Sequence, residues 1–346
     1  MDMNTTQRPV TRRWTNRPPG SNWGEFGEDD QVGRLNLLTP QKVREAAAEV
    51  REGRVFCLSL PLDYPGGSVL APHRFPPQLR PTERHGQSFF NYPFNREGTD
   101  YCDAGCDDAV LLCTQYSTQW DSLAHIGQAF DADGDGVAEL VYYNGYRAGI
   151  EVRAPSERRD GEAMAIGIEN MAATGMQGRG VMVDLEGHFG RSRRLVGYDD
   201  LMRVMDADRV GFEPGDVLCL HTGFSTMLLD MQRQPEAETL RNACAALDGT
   251  DERLLQWITD SGVVAIAADN YAVEALPARN AAGPRPFVPL HGHCLFKLGI
   301  HLGELWYFHE LNAWLKAHDR SRFLLTAPPL RLPGAVGSPV TPVATV

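Results

Sequence analysis

Signals for helix and for buried strand alternate along this chain, and that alternation restricts the fold to the α/β class more sharply than any other feature. Thr39-Pro40 is a helix cap followed by a first-turn proline, which predicts a helix over 43–51 stopped by Gly53. A strand over 55–62 follows. The pattern repeats with a strand over 180–185, a helix over 198–205, a turn at Glu213-Pro214-Gly215-Asp216 and a strand over 217–221. Residues 252–259 read as a helix ended by Gly262, and 263–267 as a buried strand that delivers Asp269 at its end. Val110-Leu111-Leu112 reads as one more buried strand, with residues 114–125 emerging from it.

A length of 346 residues permits one large α/β domain or two. The first 20 residues, with Arg12-Arg13 and Pro18-Pro19, read as an N-terminal arm, and 21–346 as a single domain. Residues 65–99 are rich in proline, aromatics and arginine without periodicity, which predicts a surface excursion able to cover a pocket or reach a neighbouring subunit. The proline-rich tail from Pro328 onward should lie extended across the body. A formal charge of −12 with no basic block argues against nucleic acid and favours a small-molecule substrate. No apolar run reaches the roughly 18–20 residues of a membrane span, and the start lacks a signal-peptide core, so the expected location is cytoplasmic, with no membrane partner. Seven scattered cysteines fit free thiols in a reducing compartment, and Cys102/Cys106 alone make no zinc knuckle.

Chemistry concentrates in two stretches. In YSTQWDSLAH, Asp121 and His125 stand four apart, and a helical turn after Asp121 would place the carboxylate beside the imidazole to orient it, raise its basicity or share a cation. The bland reading is a Trp-anchored turn in which Asp121 caps a helix. The second stretch, Leu290-His291-Gly292-His293 up to Gly303-Glu304, again joins imidazole and carboxylate, and the two can converge on one pocket. His301 and His309 read as core or surface contacts, and Asp184, Glu186 and His188 as weaker candidates. Asp131-Ala132-Asp133-Gly134-Asp135-Gly136 imitates the front of a calcium loop, but Tyr142 stands where the bidentate Glu belongs, leaving a solvated acidic turn. Gly175 to Gly180 lacks the order of a dinucleotide cradle, so no nucleotide cofactor is expected, and no G-x-S-x-G elbow is present.

Several further residues carry a resemblance: Asn22-Trp23-Gly24 with Asp29-Asp30-Gln31 and Leu35-Asn36, Arg179-Gly180-Val181 with Asp184, and Gly215-Asp216-Val217 with Thr222-Gly223. Asp269-Asn270, the segment from His291 to Glu304, and Gly337-Ser338-Pro339 complete it. Over most of its length the chain resembles the cyclase superfamily that includes bacterial kynurenine formamidases and isatin hydrolases. The resemblance implies a swivelling β/β/α fold, a mixed sheet or flattened barrel flanked by helices, and a homodimer or homotetramer.

It also implies a ligand set. Family members share His-x-x-x-His-x-Asp-x-x-x-His, in which the first two imidazoles and the carboxylate bind metal and the last imidazole is acid and base. Aligned on Asp121, this chain reads Gln115, Gln119, Asp121, His125, a Gln-Trp-Asp branch with both leading imidazoles replaced by amides. The downstream ligands fall on His291 and Glu304, with His293 the alternative to His291. An amide oxygen is a poorer zinc ligand than imidazole, so the site suits one divalent ion, manganese, magnesium or zinc, with Gln119 as a weak ligand, or else water activation by Asp121 and His125 without metal. The implied activity is hydrolysis of an amide, lactam or lactone, with Trp120, Gln115 and His293 against the substrate. A lyase or cyclase using the same acid-base pair, and a silent small-molecule binder, are the alternatives.

Overall fold

A computed structural model describes residues 13–278 and 285–346. Nine strands form one curled, half-barrel sheet flanked by helices, the expected mixed α/β architecture. In chain order they are β1 (Val55–Cys57), β2 (Gln119–Asp121), β3 (Gln177–Asp184), β4 (Val217–His221), β5 (Ala265–Ala268), β6 (His301–Glu304), β7 (Arg322–Thr326), β8 (Gly337–Pro339) and β9 (Val343–Thr345). Across the sheet the order is β1-β9-β7-β3-β4-β5-β6-β2-β8. The four central strands β3 to β6 run parallel, and the strands on either side join antiparallel.

The sheet is covered on both faces, as a parallel sheet must be. Leu218 and Leu220 of β4 enter one core with Ile266, beneath the helices α2 (Tyr198–Ala207) and α3 (Glu252–Asp260), while Val217 and Cys219 enter the other with Trp120, Trp306 and Phe323. That second core is closed by Leu311 and Leu315 of helix α4 (His309–Ala317). Asp251 caps α3 by accepting from the amides of Arg253 and Leu254, and the buried Arg34 guanidinium donates to the Ile258 and Thr259 carbonyls at its other end.

Several sequence expectations shift. The first helix, α1, spans Pro40–Ala47 rather than 43–51, because Thr39 caps it and the amides that follow it, Glu49 and Val50, bond three residues back and close it in a tighter turn. Of the strand expected over 55–62, only Val55–Cys57 is a continuous strand, followed by an isolated antiparallel bridge from Ser59 to Trp306. Val110 and Leu111 are not buried: they belong to an exposed ribbon, Asp108–Leu111 against Gln78–Pro81, outside the main sheet. A three-residue apolar run has no periodicity to say whether it faces a core. The strand that enters the main sheet comes later, at Gln119. The tail does lie extended, and supplies both β8 and β9.

Residues 1–12 of the expected arm lie outside the described residues. From Arg13 onward the chain packs on the body, with the Trp14 and Trp23 rings 6.2 Å apart and the Thr15 amide donating to the Ala132 carbonyl. In the acidic turn the Asp131 carboxylate accepts from the amides of Gly134 and Gly136. No described helix is long and apolar enough to cross a membrane.

Candidate active site

Strand β2 lies between β6 and β8, with Gln119 opposite Glu304 and Asp121 opposite Leu302. Side chains alternate along a strand, so Gln119 and Asp121 share one face and Trp120 takes the other. Trp120 is fully buried there, 4.9 Å from the Trp306 ring, with its indole N–H donated to the Ala327 carbonyl. It anchors the strand and offers no wall to a substrate. After Asp121 the chain makes a tight turn instead of a helix, with the His125 amide donating to the Ser122 carbonyl. The turn still carries His125 back, its Nε2 3.9 Å from Asp121 Oδ1.

His291 ends a single helical turn, Pro289–His291, that runs into a π-helix over Gly292–Leu298. The π-helix stops at Gly299, whose positive φ and near contact with Gly33 exclude a side chain at either position. His291 Nδ1 lies 2.7 Å from Glu274 Oε1, and the Glu274 carboxylate also accepts the backbone N–H groups of Leu290 and His291. Glu274 is presented by a strained loop in which Ala272 and the β-branched Val273 have φ of 75° and 57°. On its other side, His291 Nε2 is 3.2 Å from Glu304 Oε1 and 4.0 Å from Asp121 Oδ2. Gln119 donates its amide to Glu304 Oε2 at 2.9 Å.

The electrostatics follow from burial. Desolvation lowers the basicity of His291, but hydrogen bonds to Glu274 and Glu304 outweigh it and push its pKa up to about 10. Burial raises the pKa of Asp121 and lowers that of His125. Burial would raise Glu304 as well; the hydrogen bond from His291 pulls it down instead. Asp121 Oδ2 and Gln119 Oε1 are buried without a hydrogen-bond partner. Ligand atoms of Asp121, His291 and Glu304 all lie within 4.8 Å of one another. Two orphaned oxygens, a second carboxylate and an imidazole whose Nδ1–H is tied to Glu274 form a donor set that fits one oxygen-preferring or borderline divalent ion.

Gln115 has a defined part. Its Nε2 is 2.7 Å from Asp121 Oδ1 and 2.7 Å from His125 Nδ1. The carboxylate fixes which end of the amide is nitrogen, so the second N–H points at His125 Nδ1, which must accept it. Neutral His125 therefore carries its proton on Nε2. Its side chain is one-fifth exposed, whereas Asp121 has no exposure at all.

Of the residues singled out in the sequence, Gln115, Gln119, Asp121, His125, His291 and Glu304 come together, with the His125 and His291 rings 6.2 Å apart. Trp120 does not join them. Nor does His293, which turns to Thr259 Oγ1 at 3.0 Å, its pKa pushed down by burial to about 4. His301 is buried with Nδ1 against the Asp121 carbonyl oxygen, a support for the strand. The sequence reading missed Glu274 and Arg74, which donates to the Gln115 carbonyl. Glu274 was visible only as a lone acid within Ala272-Val273-Glu274-Ala275-Leu276. Next to the Glu274 loop is a cavity of about 410 Å³, walled by Leu70 and Pro72 of the excursion with Phe224, Leu240 and Tyr271.

The fold and the site define an α/β protein that gathers buried carboxylates and imidazoles at one end of a mixed sheet. The Cyclase family model matches residues 34–275, and the chain belongs to the cyclase family. The crystal structure of a protein described as a novel cyclase is 28% identical, with a TM-score of 0.74, covering 96% of this chain and 100% of that one. Isatin hydrolase A from Labrenzia aggregata, bound to benzyl benzoate, is 11% identical at a TM-score of 0.54, covering 87% of this chain and 95% of its own. Isatin hydrolase A from Ralstonia solanacearum is 14% identical, also at 0.54, covering 88% and 97%. The two isatin hydrolases share the fold. No curated protein sequence matches significantly.

Proposed function

We propose that this protein is a hydrolase that opens an amide, lactam or lactone bond of a small, cyclic substrate. The carrying observation is Asp121 Oδ2: a buried carboxylate oxygen without a hydrogen-bond partner, facing His291 and Glu304, on the same carboxylate that lies beside His125. Buried polar atoms are seldom left unpaired unless a ligand completes them. Asp121, His291, Glu304 and the Gln119 carbonyl oxygen would hold a divalent manganese, magnesium or zinc ion, which when bound supplies Lewis acidity and an acidified water.

The remaining work falls to side chains. Gln115 keeps the proton of His125 on Nε2, and burial keeps the imidazole neutral near pH 7, so His125 is set to offer that N–H as a hydrogen bond to the reacting carbonyl oxygen or to the departing nitrogen or oxygen, while the proton that the leaving atom takes up is the one lost by the attacking water. Glu274 locks the His291 ring by accepting from Nδ1. The cavity beside Glu274, with Leu70, Pro72, Phe224 and Tyr271 in its wall, is where an apolar ring would sit in place of the wall expected of Trp120, and Tyr271 is near enough to feel the charges of Glu304 and Asp121.

A screen of lactams, lactones and N-acyl aromatics with the wild type and His125→Ala tests this reading. A product heavier by one water, formed with kcat reduced ~10²–10⁴-fold in the folded variant, is the expected result. A product of unchanged mass would replace hydrolysis with isomerisation or ring closure, and ligand binding without turnover would make the protein a binder. We also propose a homo-oligomer, supported by the exposed Leu79, Val110 and Leu111 on the ribbon; light scattering should give at least a dimer mass.

A further inference from the structure

A second imidazole-carboxylate group stands at the ends of β3 and β4, where Asp184 and His221 pair in register. His221 is 3% exposed. Its Nδ1 lies 2.9 Å from Asp184 Oδ1, with the Asn312 amide 3.0 Å from the same nitrogen. A carboxylate at that distance makes Nδ1 the proton-bearing nitrogen and leaves Nε2 facing the other way. Nε2 makes no hydrogen bond, and 3.3 Å from it is Glu186 Oε2. Arg191 holds the other oxygen of Glu186, so that Oε2 is the free one. The exposed His309, first residue of α4, completes the group: ligand atoms of Glu186, His221 and His309 lie within 4.8 Å of one another.

The backbone around this group makes room for it. Gly223 has a φ of 83°, and a Cβ there would come within 2.5 Å of the Glu186 carboxyl carbon. The loop is pinned by the buried Asp269, whose carboxylate accepts from the Thr222 amide and hydroxyl and from the Gly223 amide. An unprotonated Nε2 and an ionised carboxylate 3.3 Å apart repel unless a cation lies between them. That cation is either a proton, making His221 an imidazolium, or a metal ion.

We propose that Glu186, His221 and His309 form a second divalent metal site of zinc type, separate from the Asp121 site, with Asp184 orienting His221 from behind. Two imidazoles and one carboxylate are a ligand set of zinc sites that keep a position open, and a carboxylate on the far nitrogen of a ligating imidazole is the usual support. Solvent reaches the site from the side of His309.

The test uses the full-length Asp121→Asn protein, stripped with chelator, so that the first site is disabled and the two proposals fail separately. Zinc chloride is titrated against a competing indicator. One equivalent should bind in this background, none after adding His309→Ala, and binding should weaken ~10–100-fold after adding Asp184→Asn instead. His309 is exposed, so its removal should leave the melting temperature of the metal-free protein unchanged. An Asp121→Asn protein that takes up no zinc, or one that keeps its equivalent without His309, overturns the proposal; in the first case His221 carries a proton only.

Discussion

His291 and His221 each sit between two carboxylates, yet their surroundings differ. Around His221, the acids are already matched, Asp184 by Lys316 and Glu186 by Arg191, and the group opens to solvent at His309. Around His291, among the described residues, Glu274 and Glu304 find no charged hydrogen-bond partner other than His291 itself, and Asp121 is buried beside them. Three buried carboxylates against one imidazolium leave a deficit of positive charge. Around His221 the demand for a further cation is confined to the gap between Nε2 and Glu186 Oε2, whereas around His291 the whole buried set of acids demands protons or a cation, and the raised pKa of Asp121 is the proton-taking form of that demand.

The contrast breaks most visibly at Glu274. Glu274→Ala would strand a buried imidazolium and two backbone amides, and urea melts should show a loss of about 3–5 kcal/mol. Asp184→Ala should cost less, about 1–3 kcal/mol, because Lys316 is more than half exposed and can turn to water. Equal losses would erase the distinction. pH separates the regions next. With a folded pKa of about 10 against about 6.5 when unfolded, His291 stabilises fully below pH 6.5, and that contribution drains away as pH rises toward 10. Asp184 is held far below its usual value, despite burial, by His221, Lys316 and the Gly187 amide, so its contribution is present above pH 4 and lost in acid. His221, also raised, adds to the alkaline loss, so the diagnostic is that His291→Gln removes part of that loss and leaves the acid limb in place. Added manganese acts on the first site without a substitution there, with an effect in the range given for Asp184→Ala. At ~100 times its Kd it should stabilise the protein by about 2.7 kcal/mol, read as a higher melting temperature, and Asp121→Asn should abolish the part due to the first site.

The sequence made the strands over β3, β4 and β5 legible to within a few residues, because unbroken apolar runs bounded by Gly, Pro and Asp leave few other readings. It also singled out Asp121, His125, His291 and Glu304, whose types are expensive to bury. The orientation of Trp120 was hidden, because it depends on Gln119–Asp121 being a strand rather than the start of a helix, a matter decided by β6 and β8 far along the chain. His293 was misplaced because the π-helix turns it away from its neighbour two positions earlier. Glu274 and Arg74 reach the site from loops whose course no local pattern dictates.

Strand β2, which carries Asp121, is made in the first half of the chain, but both its neighbours arrive late: β6 from 301 and β8 from 337. During synthesis this segment is therefore without a strand partner until β6, the last strand of the parallel centre, is made. Its charged cluster is complete only once β6 sets Glu304 opposite Gln119, so no partial chain ending before Glu304 holds a finished site.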